Sequence, residues 1–217
     1  MLAVIDDALP LLSGGLWTAA YLLIWRASVR DRTFGMPALA ACLNLTWELL
    51  YFTGGVIYWR DYGTDIHLQT VVNGLWLILD IGILWQVAKY FPDTLHLTSP
   101  KQRFSVLMGL ILGALAYQFA ILLATDPENG ARLSAFIQNL YMSGAFIVLL
   151  LSRRTRLGQS LTAAWCKLLG TLAVTISAGY IGAVETHILI LGIGCLIFDL
   201  LYVWLLGRAP HLGGAKV

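Results

Sequence analysis

The chain has 217 residues, of which 59% are hydrophobic and 12% are charged, and its formal net charge is +2. A composition this apolar excludes an ordinary soluble domain, and the small net charge excludes a nucleic-acid partner. The charged residues lie between long apolar stretches rather than within them. The sequence therefore predicts an integral membrane protein embedded in the lipid bilayer.

A membrane-spanning helix needs about 20 mainly apolar residues. Seven windows meet this condition, at about 8–25, 36–58, 68–91, 104–124, 134–151, 161–184 and 187–206. The segments between them are too short to form a soluble domain. We therefore predict an all-α fold, a polytopic seven-transmembrane-helix bundle that makes up one domain over residues 1–217.

The basic residues are concentrated in alternate loops. Arginines follow the first helix and separate the fifth from the sixth: Arg26, Arg30, Arg32, Arg153, Arg154 and Arg156. Most acidic residues outside the helices lie in the opposite loops. Because Lys and Arg in short loops stay in the cytoplasm, we predict an outside N-terminus and a cytoplasmic C-terminus.

Four of the predicted helices carry polar and aromatic residues among their apolar ones. These are Asn44, Trp47, Glu48 and Tyr51 in helix 2, Asn73, Trp76 and Asp80 in helix 3, Gln138, Asn139 and Tyr141 in helix 5, and Cys195, Asp199 and Tyr202 in helix 7. In helices 2 and 3 the spacing places them on one face. Because polar groups in hydrocarbon need partners inside the bundle, we expect these residues to converge on one cavity and to contact a ligand there.

Three acids lie deep in the apolar windows: Glu48, Asp80 and Asp199. A charged group at the bilayer centre costs at least roughly 2.5 kcal/mol, so such residues usually mark function. In a structural alternative, the acids bond neighbouring polar groups to hold helices together. Such bonds contribute under about 1 kcal/mol, and Asn or Gln would serve equally well. We therefore predict that Glu48 and Asp199 are catalytic, while Asp80 fits either interpretation.

Aromatic residues near the window ends are typical of interfacial belts. This interpretation covers Trp17, Trp25, Tyr58, Trp59, Tyr90 and Trp204. The cysteines, Cys42, Cys166 and Cys195, have no metal-ligand spacing and are expected to be small buried residues.

The residue types in the predicted cavity favour one kind of chemistry. A carboxyl buried in an apolar cavity can stay protonated and act as a general acid. Aromatic faces stabilise a cation, and exclusion of water protects reactive intermediates. Together they favour proton-initiated cyclisation of a polyene. The sequence has no paired-aspartate motif for Mg²⁺ and diphosphate, no HExxH, no GxSxG and no Lys in helix 7 for retinal.

Four short motifs carry a resemblance to a known family. They are Asn44-Leu45-Thr46-Trp47-Glu48, Trp76-x-x-x-Asp80, Gln138-Asn139 and Phe198-Asp199-x-x-Tyr202. In these motifs the chain resembles the small seven-helix membrane-bound terpene cyclases of meroterpenoid and indole-terpenoid biosynthesis. The resemblance implies that Glu48 and Asp199 are the catalytic carboxyls, and we favour Asp199 as the proton donor with Glu48 as its partner or a second donor.

The resemblance also implies a reaction and a substrate. A terminal epoxide or alkene is protonated on a prenyl chain that is already attached to an aromatic, polyketide or indole unit, with no metal and no cofactor. Asn44, Trp47, Trp76 and Tyr202 would orient the acids or line the pocket.

Two alternatives use the same acids. A small heptahelical transporter or receptor would use Glu48, Asp80 and Asp199 as a proton relay or as a site for a cationic ligand. It explains the acids equally well, but it explains their aromatic neighbours and the missing inverted repeat less well. Alternatively, the three acids would together hold Mg²⁺.

Overall fold

The computed structural model describes residues 2–62, 67–181 and 185–210, with residues 2–7 described by their backbone alone. Within these ranges the chain forms helices and no strand. The helices are α1 Leu2–Arg30, α2 Ala38–Tyr62, α3 Leu68–Thr94, α4 Pro100–Ala124, α5 Pro127–Arg153, α6 Leu161–Ile176 and α7 Thr186–Arg208. A turn of π-helix, Ser177–Ile181, continues α6. The predicted all-α fold is confirmed, although the last residues of the sixth predicted window, 182–184, lie outside the described residues.

Six helices are long and apolar enough to cross a membrane. They are α1 from Ala8 onward, α3, α4, α5, α6 with its π-helical turn, and α7. The seventh, α2, has a similar length, but its middle carries Asn44, Thr46 and Glu48. These polar groups lower its average hydropathy, so the seventh span stays a prediction, as does the orientation of the termini.

Helix α5 begins earlier than its apolar window indicates. Residues 126–130 read as a turn in the sequence, but the Asp126 side chain caps the helix by accepting a hydrogen bond from the backbone N–H of Asn129 at 3.0 Å. Pro127 occupies the first helical turn, where its missing N–H is not needed. Asp and Pro are common in turns and at helix N-termini alike, so composition does not separate the two.

The helices form a closed ring of contacts in the order α1, α3, α2, α5, α7, α6, and α6 packs back on α1. Helix α4 packs against α2 and α5, with a smaller contact to α3. Across the described ranges α2 and α7 make no contact with each other. The predicted catalytic acids Glu48 and Asp199 are therefore carried by helices that are not direct neighbours, with α5 between them.

Two loops meet at the end of the bundle where α1 and α5 finish. The Asp31 carboxylate accepts a hydrogen bond from the backbone N–H of Gly158 at 2.8 Å and also pairs with Arg30. Gly158 has a φ of +72°, a left-handed conformation that favours glycine. This contact fixes the loop that leads into α6 and so sets the depth at which the α6 side chains lie.

Candidate functional site

Two acids on neighbouring helices form the centre of the site. Glu48 lies in the middle of α2 with 3% of its surface exposed, and Asp80 lies in α3 with 1% exposed. The two carboxyls are close enough to interact electrostatically. Both oxygens of Asp80 and Oε2 of Glu48 have no hydrogen-bond partner among the described residues. The structure thus brings together two of the three predicted acids, in an apolar interior and with free carboxyl oxygens.

A chain of side-chain amides leads to this acid pair. Gln118 of α4 donates to Oε1 of Gln138 at 2.8 Å, and Gln138 donates to Oδ1 of Asn44 at 3.4 Å. Asn44 in turn donates to the hydroxyl oxygen of Tyr21 at 2.7 Å. All four residues are buried. The network joins four helices next to Glu48, and it includes Tyr21, which the sequence interpretation did not select.

Aromatic rings line the side of the acid pair that faces α1. The ring of Tyr21 lies 5.8 Å from that of Trp76 in an edge-on arrangement and 5.8 Å from that of Trp17. The indole N–H of Trp76 donates to the hydroxyl of Thr18 at 2.8 Å. Trp17 is 9% exposed, so its prediction as a belt residue is wrong. It packs in the interior because its side chain fits between Tyr21 and α6.

The remaining predicted site residues of α2 and α3 also face inward. The Trp47 indole donates to the Ser134 hydroxyl at 3.0 Å, and its ring lies 4.7 Å from that of Tyr51. Asn73 is buried and accepts a hydrogen bond from Gln69 at 2.6 Å. The stripe on each helix therefore lies against neighbouring helices, as the spacing predicted.

The predicted residues of α5 and α7 do not all join this site. Asn139 is buried and donates to the Thr171 hydroxyl at 3.0 Å, but Tyr141 is 43% exposed. Two residues apart on a helix means about 200° of rotation, so these two side chains point in nearly opposite directions. Tyr202 is buried elsewhere, where its hydroxyl donates to Gln159 at 2.8 Å.

The third acid has a cation beside it. Lys167 of α6 lies with its Nζ 2.7 and 2.8 Å from the two carboxylate oxygens of Asp199 and 2.6 Å from the hydroxyl of Ser143. Both side chains of the ion pair are almost fully buried. The cation comes from another helix, so the sequence around Asp199 gives no sign of it.

The hydrogen bonds of this ion pair engage all three donors of the Lys167 ammonium group. An ammonium group has three N–H donors, and here each has an acceptor within the described residues. Both Asp199 oxygens accept from the same nitrogen, which is the arrangement of an ionised carboxylate. The Lys167 nitrogen also lies 5.5 Å from the centroid of the Trp17 ring. Asp199 is therefore the acceptor in both hydrogen bonds and forms a buried ion pair with Lys167.

The chain offered a clue to Lys167 that the sequence interpretation did not use. A lysine inside an apolar window costs as much as an acid there and needs a partner. By its position in the sequence, Lys167 lies near the predicted cytoplasmic end of helix 6, where a long side chain can reach water. It lies two turns into α6 and is 2% exposed, so the side chain reaches Asp199 rather than the surface.

An open depression of about 660 Å³ lies where α4, α5 and α7 meet at one end of the bundle. It is lined by Thr125, Asp126, Asn129, Leu133, Glu185 and His187. A second cavity, of about 10 Å³, lies beside Lys167 and Tyr202 and has room for one water molecule at most. Neither depression is lined by Glu48 or Asp80.

The metal-binding alternative requires three acids in one place. Among the residues with described side chains, no three His, Cys, Asp or Glu residues are grouped closely enough to hold a metal ion. Asp199 is engaged by Lys167 and does not complete a shell with Glu48 and Asp80. Of the three buried acids, Glu48 and Asp80 therefore form a carboxyl pair, and Asp199 forms an ion pair with Lys167.

Comparison with known proteins identifies a family that matches most of the chain. The sequence model of the Pyr4-like transmembrane terpene cyclases matches residues 1–181. The chain is 28% identical to terpene cyclase macJ of Penicillium terrestre over 175 residues, which are 78% of this chain and 64% of that protein. It is 31% identical to the Pyr4-family terpene cyclase mfmH of Annulohypoxylon moriforme over 160 residues, which are 72% of this chain and 62% of that protein.

A third relative, terpene cyclase pyr4 of Aspergillus fumigatus, is 27% identical over 181 residues, which are 82% of this chain and 69% of that protein. The match to the first two relatives spans a little under two thirds of their length. Glu48, Asp80 and Lys167 lie inside the residues that the family matches, and Asp199 lies after them.

The family is transmembrane by its description, and the described part of this chain has six helices that are long and apolar enough to cross a membrane. The chain is thus a multi-pass integral membrane protein. It belongs to the Pyr4-like transmembrane terpene cyclases.

Proposed function

We propose that this protein is a membrane terpene cyclase in which a proton held by Glu48 and Asp80 starts the ring closure of a prenyl chain on a meroterpenoid or indole-type acceptor. The observation that carries the proposal is the buried pair of carboxyls with free oxygens. The relatives, which are named terpene cyclases, support the reaction class.

The pair is suited to hold a proton. Two carboxylates close together in an apolar interior repel each other strongly, so one of them keeps its proton. The buried lysine forms its ion pair with Asp199 and not with either acid of this pair. A protonated carboxyl held next to an ionised one is an established way to keep an acid available at neutral pH.

The aromatic rings next to the acid pair are suited to stabilise the carbocation that forms when the prenyl chain is protonated. Tyr21 and Trp76 lie edge to face within the bundle. Trp76 is one helical turn from Asp80 on α3, and Tyr21 of α1 is bonded to Asn44, which is one turn from Glu48 on α2. Aromatic faces attract a cation most strongly where water is excluded. The same exclusion keeps water from trapping the cation before the rings close.

The proposed reaction needs no proton donor or acceptor other than Glu48 and Asp80. The carboxyl proton moves to the epoxide oxygen, whose C–O bond breaks, or to a terminal alkene carbon. Alkene π electrons then close the rings, and the last cation loses a C–H proton to the carboxylate. The net change is an isomerisation in which the pair recovers its proton. Asp199, favoured at first as the donor, serves here as the ionised partner that holds α6 against α7.

The proposal is tested by turnover of a defined probe. Purified protein in detergent is given an aromatic acceptor that carries an epoxidised farnesyl chain, in three samples: untreated, treated exhaustively with EDTA, and treated with EDTA and then Mg²⁺. We expect the same cyclic product in all three. Loss of product with EDTA and its return with Mg²⁺ would move the acids into a metal site.

A protein that forms no cyclic product in any of these samples would contradict the cyclase proposal itself. The transporter or receptor alternative then predicts flux or ligand binding in proteoliposomes. None of the described residues favours that alternative over the cyclase.

A further inference from the structure

The end of the bundle where α1 and α5 finish carries most of the basic side chains. The Arg156 guanidinium donates to the backbone carbonyl of Ala209 at 2.9 Å, so α7 ends at this surface too. The rings of Phe34 and Phe91 lie 5.7 Å apart, which brings the last turns of α3 to the same surface. Basic residues from four helices and their loops therefore share one end of the molecule.

Only part of this basic charge is used within the protein. Arg30 and Arg103 each pair with a nearby aspartate, and Arg153 and Arg156 donate to backbone carbonyls. The other basic side chains of this end are exposed and have no ion pair within the described residues. We call them the basic face: Arg26, Arg32, Lys89, Lys101, Arg154 and Arg208.

The opposite end of the bundle is arranged differently. Its basic residues in the described ranges are Arg60, which pairs with Asp61 at 2.7 Å, and Arg132, which pairs with Glu185 at 3.1 Å. Asp126 adds a further negative charge there. Across the described part of the chain, the exposed positive charge without a carboxylate partner is therefore concentrated at one end.

Two side chains of the basic face lie over aromatic rings. The Arg208 guanidinium is 4.1 Å from the centroid of the Trp204 ring, and the Lys89 nitrogen is 5.1 Å from the centroid of the Tyr90 ring. Trp204 is 52% exposed. Trp and Tyr at the end of a spanning helix lie at the level of the lipid headgroups, and long basic side chains extend to that level. The basic face is therefore placed at the depth of the headgroups.

We propose that the basic face binds the headgroups of anionic phospholipids. Phosphate oxygens accept charge-assisted hydrogen bonds from Arg and Lys, and a guanidinium group can donate two at once. Clusters of about four to eight Lys and Arg residues beside a membrane helix attract anionic lipids through the sum of their charges. Phosphatidylcholine also has a phosphate, but its choline cancels the net charge, so the face selects by net charge. The inference does not depend on the proposed cyclase activity.

Spin-labelled lipids test this inference in vesicles. The full chain is reconstituted in phosphatidylcholine with a trace of spin-labelled phosphatidylglycerol or spin-labelled phosphatidylcholine, and electron paramagnetic resonance measures the share of each label held at the protein. At low salt we expect the phosphatidylglycerol label to bind at least about threefold more strongly. This preference should fall by at least about half in roughly 1 M NaCl, because salt screens exposed charges. Equal binding of the two labels at low salt, or a preference that salt leaves unchanged, overturns the inference.

A pair of variants with equal loss of charge locates the binding. Arg26→Gln, Arg154→Gln removes two charges from the basic face and should lower the preference for phosphatidylglycerol by at least about half. The matched control, Arg60→Gln, Arg132→Gln, removes two charges from the opposite end and should keep the wild-type preference. An unchanged preference in the first variant, or an equal loss in both, overturns the inference. So does a preference abolished by inorganic phosphate but kept in NaCl of the same ionic strength, which would assign the face to a soluble anion.

Discussion

Replacing Glu48 with Gln should reduce product formation by roughly 100-fold or more, the effect typical of losing a general acid. Glutamine has nearly the same shape, and the Glu48 side chain is buried beside Asp80, so the variant should still insert and fold. The amide cannot release a proton to an epoxide or an alkene. The measurement is the rate of cyclic product formation per purified protein molecule.

A matched control separates this chemistry from a general effect of losing an acid. Glu128 lies in the first turn of α5 with 81% of its side chain exposed. Glu128→Gln makes the same chemical change far from the acid pair and should keep wild-type turnover. Near wild-type turnover in Glu48→Gln would remove Glu48 from the mechanism.

Replacing Lys167 with Met should lower the free energy of unfolding by about 3–5 kcal/mol, because it leaves Asp199 as a buried charge without a partner. Asp199 touches no other cation in the ion pairs of the described residues. The double variant Lys167→Met, Asp199→Leu should recover most of that loss, since an apolar pair of similar size avoids the desolvation of both charges. The measurement is reversible denaturation in detergent.

An exposed ion pair provides the comparison. Arg103 and Asp93 lie 2.6 Å apart, with 37% and 58% of their side chains exposed. Arg103→Met should change the free energy of unfolding by no more than about 1 kcal/mol, because water already solvates both charges. If Lys167→Met were as mild as Arg103→Met, the buried pair would not hold α6 against α7.

The local part of the fold could be predicted from the sequence. Apolar windows of about 20 residues indicate helices because a spanning segment must satisfy its backbone internally. Helical spacing also placed Asn44 and Glu48 on one face of α2 and Trp76 and Asp80 on one face of α3, and all four face the interior. Spacing succeeds here because it depends on one helix at a time.

The contacts between helices could not be predicted in this way. Spacing says which residues share a face but not which helix that face meets, so it predicted neither the approach of Asp80 to Glu48 nor the ion pair between Asp199 and Lys167. Lys167 was missed because a long side chain near a helix end reaches water as readily as a buried acid. Tyr21 was missed because an aromatic residue in an apolar window has the same pattern in a core as in an interfacial belt.

The protonation of the acid pair is the central claim, and infrared difference spectroscopy measures it directly. The purified wild type at neutral pH should show the C=O stretch of a protonated carboxyl, shifted by transfer to D₂O. That band should disappear in a Glu48→Gln, Asp80→Asn variant and persist in Asp199→Asn, because Asp199 is ionised beside Lys167. A wild-type spectrum with carboxylate bands alone, or a protonated band lost only in Asp199→Asn, would contradict the account.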